Sequence, residues 1–181
     1  MFSRRTPGSY DEGTTATAML TWRCQSTGRL YAQTANVGDS SCALGRIGVG
    51  GSRGRFTTTE HKVSSARERE RLARDHGVVL SEGTTRLYGL ALARALGDGF
   101  LKREGAGISA EPDVSEVVEL RGDGNDVAVL ASDGLWDVCS AEQAVATASG
   151  AGSPSAAAGR LVLFARQMRS RDDAAVVVVR L

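Results

Sequence analysis

Histidine is nearly missing from this chain: His61 and His76 are the only two, and their spacing is not that of metal ligands, which excludes a histidine-built zinc centre. Cysteine is as scarce. Cys24, Cys42 and Cys139 are scattered without a CxxC pair and cannot all be bridged, so neither a disulfide framework nor a thiolate zinc site is expected, and the three read as small apolar core residues. An excess of one charge is also lacking. Lys and Arg total 22 against 21 Asp and Glu, a net charge of +1, so no global field draws the chain to nucleic acid or anionic lipid and any charge-based function is local. Long apolar runs are absent too. Residues 174–179 are far too few to span a bilayer, and residues 1–12 have no apolar signal core, so a soluble intracellular protein of cytoplasm or nucleus is expected, with no membrane partner.

Two remaining patterns suggest functions that their details exclude. The glycine-rich residues 48–54 have neither the Gly-Lys-Ser/Thr ending nor the Gly-x-Gly-x-x-Gly register of a nucleotide loop. Arg67, Arg69, Arg71 and Arg74 alternate with Glu68, Glu70 and Asp75 and have no aromatic companions, which predicts a solvated helix and no nucleic-acid surface. There are no internal repeats, and 181 residues suffice for one domain.

What is present reads as alternating strands followed by helices. Residues 15–24 alternate as a strand does, residues 30–37 are extended, Gly38-Asp39 turns the chain, and residues 40–45 return, an antiparallel meander. Residues 46–55 carry no periodicity and are expected to form a flexible surface loop. Ser65 with Glu68 reads as a capping box that opens a charged surface helix, stopped by Gly77. Residues 90–96 read as a short helix or turn, 113–120 as a strand, and 121–126 as a hairpin loop into the strand 127–131. Ser140 with Gln143 caps a helix to about residue 149. Pro154 opens another, with Ala157, Leu161, Phe164, Ala165 and Met168 on one face. The β-branched residues 174–181 suit a strand buried on both faces. About six or seven strands and three or four helices follow, and their grouping predicts an α+β layered fold of antiparallel sheets flanked by helices.

The chemistry is expected where acids stand at strand ends. Asp133 and Asp137 lie one helical turn apart directly after the apolar strand 127–131, and Gly134 between them allows a close backbone approach. Asp172 precedes the last strand, and Asp39 sits at the meander's turn. Oxygen clusters of this kind suit hard divalent cations. Taken singly, each has a plainer reading: Asp39 as a turn residue, Asp172 as a cap, Asp133 and Asp137 as acids at a helix entrance.

Their order along the chain carries more. Gly13-Thr14-Thr15-Ala16, then residues 35–40 (Ala-Asn-Val-Gly-Asp-Ser), then Thr59-Glu60-His61-Lys62 with Glu68 and Arg71, then residues 90–98 ending Arg94-Ala95-Leu96-Gly97-Asp98, then Ala110-Glu111-Pro112, residues 132–137 and Ser170-Arg171-Asp172-Asp173 resemble, in sequence, the motifs of metal-dependent PP2C-type protein phosphatases. The resemblance runs from about Gly13 to Leu181, leaving residues 1–12 as a leader expected to be disordered. It implies the family's layered β-sandwich, N-terminally incomplete, and a Mg²⁺- or Mn²⁺-dependent hydrolase of phosphoserine and phosphothreonine in proteins, acting as a monomer. It also implies that Asp133 and Asp172 hold one metal, and that Asp39, Asp133 and Asp137 hold a further, weaker one. His61 stands near the phosphate by family analogy, although plain solvent exposure is the simpler expectation.

The family's Asp-Gly-His-Gly-Gly motif, a further glutamate ligand and a phosphate-binding arginine precede its Gly-Thr-Thr-Ala strand, and none is found in these 181 residues. Little or no activity is therefore expected of the chain as given. The alternative is a catalytically silent binding or regulatory module of the same fold. Asp173 stands for the family's asparagine, Ala93 for a serine, Ser41 for an arginine and Val63 for a proline.

Overall fold

The computed structural model of the protein describes residues 12–48 and 51–181. All but one residue of the expected leader lies outside that range. Strand β1 (Gly13–Thr14) leads into β2 (Ala16–Arg23), which pairs antiparallel with β3 (Leu30–Val37) from Ala16↔Val37 to Arg23↔Leu30. The alternation read in β2 is that of a strand with one face inside: Met19 joins the core and Leu20 is 65% exposed.

Strand β4 (Ser41–Gly48) then turns back as β5 (Gly51–Phe56). The expected flexible loop is thus a β-hairpin, with Gly45 opposite Gly54 and Arg46 opposite Arg53. Its glycines serve contact and not looseness. A Cβ on Gly54 would strike the carbonyl oxygen of Ala141, and one on Gly45 would lie 2.7 Å from a methyl of Val145. A helix lies directly on this hairpin, and only glycine admits it.

Helix α1 (Ala66–His76) follows, ended by Gly77 in the left-handed conformation at φ 66°. Ser65 makes no side-chain cap bond, and Glu68, Arg71 and Leu72 are buried, so the capping box and the all-surface helix are both corrected; Glu68 turns inward to guanidinium partners. Residues 90–96 form no helix. They make isolated bridges to Lys62 and Leu87, then β6 (Leu96–Gly97), which pairs with β1. After the short helix α2 (Gly99–Arg103), the expected strand 113–120 is split into β7 (Asp113–Val114) and β8 (Val118–Leu120), both on β3.

Strand β9 (Asp126–Ala131) runs into the single turn α3 (Asp133–Trp136), then α4 (Ala141–Ser149), α5 (Pro154–Gln167) and β10 (Val176–Arg180). The capping box of Ser140 and Gln143 forms as expected, and Ser153 caps the proline-led α5. One four-stranded sheet has the order β10-β9-β4-β5, and the other is built on β2-β3-β7 with β8 also on β3. Strand β9 explains the layering: Val127, Val129 and Ala131 face α4 and α5, whereas Ala128 joins Cys42, Leu44 and Ala32 between the sheets. A near-continuous apolar run is what a strand buried on both faces requires. Strand β10 departs from that expectation, being an edge strand with Val177 58% exposed. A third apolar cluster, around Val63, Leu72, Ala93 and Ile108, joins α1 to the loops after it.

Candidate active site

The acidic motif is set at the end of β9 by its neighbours. Trp136 Nε1 donates to the carbonyls of Ser41 at 3.0 Å and Ala131 at 2.9 Å, and its ring meets Phe56 edge to face at 5.0 Å. Ser132 Oγ donates to Asp173 O at 3.1 Å and accepts Ala175 N–H at 3.0 Å. A Cβ on Gly134 would collide with Asp173 O. The close approach that Gly134 was expected to allow is therefore to the backbone beside Asp172, and it brings the last acidic loop against the first.

Asp39 arrives at the turn that carries the chain from β3 in one sheet to β4 in the other, so the expected meander is divided between the two sheets. Gly38 adopts φ +104° and leaves no room for a Cβ beside Thr15, so glycine is needed on both counts. On the far side of Asp39, Ser40 Oγ and Thr15 Oγ1 share a hydrogen bond of 2.7 Å. Asp39 is only 7% exposed. Burial, then the negative charge of Asp133, pushes its carboxyl up to about 6.

Asp133 is the hub of the cluster. Burial first, then the charges of Asp172 and Asp137, raises its carboxyl above the usual range. All four acids expected at the site, Asp39, Asp133, Asp137 and Asp172, thus act on one another through Asp133, although they come from three separate segments. Asp137 and Asp172 are exposed. Among the described residues no three acidic, histidine or cysteine side chains close into a coordination shell; the carboxylates share a field without forming a cage. Lys62 supplies partial relief. Its Nζ lies 3.2 Å from Asp137 Oδ1 and 3.2 Å from Glu60 Oε2, and its charge opposes the upward shifts of both Asp39 and Asp133.

Behind this rim lies a buried ion network. Glu68 Oε1 accepts from Arg94 Nε at 2.9 Å and Nη2 at 2.7 Å, and Oε2 accepts from Arg71 Nε at 2.7 Å. Asp113 is gripped by both terminal nitrogens of Arg67 and lies 3.6 Å from Arg94 Nη1. Arg94 is thereby committed to Glu68 and Asp113. His61, expected at the surface, is fully buried: its Nδ1 accepts Gly38 N–H at 3.0 Å. Lys62, Trp136 and Ser132 were given no role by the sequence; the only signal was that Lys62 and His61 stand in one motif and the other two flank the acids.

The arrangement of sheets and helices recurs in known proteins. The model of the family "Protein phosphatase 2C" matches residues 2–174. The chain belongs to the protein phosphatase 2C family. Protein phosphatase 2C 70 of Arabidopsis thaliana is 42% identical over 177 residues, covering 92% of this chain and 29% of that protein. Probable protein phosphatase 2C 7 of Oryza sativa subsp. japonica is 40% identical, covering 81% of this chain and 37% of that one. A crystallographic serine-threonine phosphatase 2C from Toxoplasma gondii superposes with a TM-score of 0.62 at 29% identity, over 84% of this chain and 56% of that chain. The chain thus spans well under two thirds of each of these PP2C relatives, and the α+β sandwich is the family's fold. No helix among the described residues is long and apolar enough to cross a membrane.

Proposed function

We propose that the chain is the C-terminal portion of the catalytic domain of a metal-dependent protein serine/threonine phosphatase, with Asp39, Asp133, Asp137 and Asp172 as its contribution to a Mg²⁺ or Mn²⁺ centre. The observation that carries this reading is the convergence on Asp133 of three other carboxylates, with the carboxyls of Asp133 and Asp39 both raised by burial and by neighbouring negative charge, against the nearby ammonium of Lys62. Such a set of hard oxygens with too little positive charge suits a hard divalent cation. Asp133 and Asp172 would hold one ion, and Asp39, Asp133 and Asp137 a second, weaker one. When bound, divalent ions supply Lewis acidity at the phosphoryl group and an activated water. The residues of this chain then orient: Trp136 and Ser132 fix the loops that carry the acids, and Lys62 keeps a positive charge at the rim where a phosphorylated serine or threonine of a protein substrate would dock.

The 181 residues contain no Asp-Gly-His-Gly-Gly stretch. Without that stretch's bridging carboxylate, the ion on Asp133 and Asp172 would lack the second catalytic ion needed about 4 Å away to activate the water, so the chain by itself has little or no turnover, and it acts as a monomer. Release of phosphate from a phosphothreonine peptide in millimolar Mn²⁺ tests this, and robust turnover abolished by Asp133→Ala would refute it. Binding is the positive test: Mn²⁺ should raise the thermal midpoint of the wild-type chain and leave that of Asp133→Ala in place. The alternative, a silent binding module, is distinguished by the coding sequence upstream of Met1, where an in-frame Asp-Gly-His-Gly-Gly favours the enzyme.

A further inference from the structure

Gly38, the residue before Asp39, is held from both sides by one other residue. His61 Nδ1 accepts its N–H at 3.0 Å, and the main-chain N–H of His61 donates to its carbonyl at 3.0 Å. Asn36 Nδ2 adds a second donor to that carbonyl at 3.1 Å and is itself anchored to Thr59 O at 2.9 Å. A ring nitrogen that accepts an N–H carries no proton, so the neutral imidazole holds its hydrogen at Nε2. That Nε2 makes no hydrogen bond; it lies 3.5 Å from Asp113 Oδ2, which Arg67 holds in place. A fully buried imidazole whose donor meets a carboxylate only at 3.5 Å is a poor way to fill a core, because the weakly matched N–H costs free energy that a leucine would avoid. Its geometry is explained by what the other nitrogen does.

We infer that His61 is a positioning residue: through Nδ1 and its own main-chain N–H it grips Gly38 and so fixes the direction in which the Asp39 carboxylate leaves the turn towards Asp133, with Asp113 keeping the ring in the required tautomer. The inference rests on the reading of the acid cluster as a cation centre. It assigns to a buried side chain, well behind the rim, control over the weaker of the two ions. The pattern is that of an outer partner that orients a ligand it does not replace.

The test is Mn²⁺ binding by the 181-residue chain, followed as loss of the free-ion electron paramagnetic resonance signal. In His61→Asn the amide oxygen can take the place of Nδ1, and affinity should stay close to wild type. His61→Gln, whose amide reaches to the position of Nε2, and His61→Ala should both bind about tenfold more weakly. In the Asp39→Asn background, His61→Ala should change the affinity by less than about twofold, since the group it positions is already gone. A purely structural role would lower the thermal midpoint in all three variants without ranking Asn above Gln in affinity. Equal affinities for the Asn and Gln variants overturn the inference, and this comparison stands even if the Ala variant does not fold; so does a full tenfold loss in the Asp39→Asn background. If Asp39→Asn weakens binding and His61→Ala does not, this inference alone fails. If the wild-type chain binds no Mn²⁺, the cation-centre reading fails and takes the inference with it.

Discussion

The ammonium of Lys62 lies 3.2 Å from Asp137 Oδ1 and offsets the charges of Asp39 and Asp133 as well. A divalent ion entering among these carboxylates is therefore repelled by a cation already there. Both side chains of the pair are partly exposed, so the interaction is a modest one of about 0.5–1 kcal/mol. Lys62→Met should accordingly tighten Mn²⁺ binding by about threefold, the equivalent of that energy, while Lys62→Arg leaves it near wild type. Calorimetric titration with Mn²⁺ measures both; weaker binding by the Met variant would mean that Lys62 supports the site and does not compete for it.

Glu68 supplies the pH dependence. It is fully enclosed, and although burial alone would raise its carboxyl, the hydrogen bonds and charges of Arg94 and Arg71 outweigh that and hold it below the usual carboxylate range. With the folded value depressed, the unfolded chain binds the proton more readily, so stability rises with pH between the two values. The contribution is complete above the unfolded value of about 4.3 and is lost as pH falls through the folded one. Glu68→Gln should flatten this acid limb of the unfolding midpoint. At pH 7 it should cost about 3–5 kcal/mol, because two buried guanidinium groups lose their anion. Urea unfolding at pH 7 and pH 4 gives both quantities, and an equal midpoint loss for wild type and variant on acidification would count against Glu68 as the titrating group.

The glycines divide into two kinds that a single experiment separates. Gly54 stands against α4, where an added methyl meets Ala141 O and lies 2.8 Å from Val145 Cγ2. Gly54→Ala should cost about 1–3 kcal/mol through overpacking. Gly159 lies within α5, is exposed, and has nothing within 4 Å of a new methyl. Gly159→Ala should stabilise by about 0.5–1 kcal/mol, the helix-propensity difference. Denaturant midpoints of opposite sign confirm the pair; a destabilised Gly159→Ala would show that α5 meets something on that face.

These two glycines also mark the limit of what the sequence conveys. Strand β9 and the acids after it were legible because an apolar run of strand length ends abruptly in Asp133-Gly134, a pattern that needs only local information. The α4 capping box was legible for the same reason. The hairpin of β4 and β5 was not, because Gly45 and Gly54 are glycines on account of Ala141 and Val145, far along the chain. Glu68 reads as a surface helix acid until Arg94, 26 residues on, is folded against it. His61 reads as exposed because polar residues usually are, and only the tertiary placement of Gly38 gives its ring a reason to be inside. Of the four expected acids, their common field was foreseeable from order along the chain; the ammonium standing among them was not.

Trp136 links the fold to that field most directly, since one N–H reaches the start of β4 and the end of β9 while the residue itself lies between Asp133 and Asp137. Trp136→Phe keeps an aromatic ring against Phe56 but deletes the donor that both carbonyls share. The loss should lower stability by about 1–3 kcal/mol. It should also release the turn that carries the acids, weakening Mn²⁺ binding by up to about tenfold. The second effect is the informative one, because a lower unfolding midpoint with unchanged Mn²⁺ affinity would confine Trp136 to the packing of the β4–β9 junction and leave the direction of Asp133 to Ser132 and the backbone of Asp173.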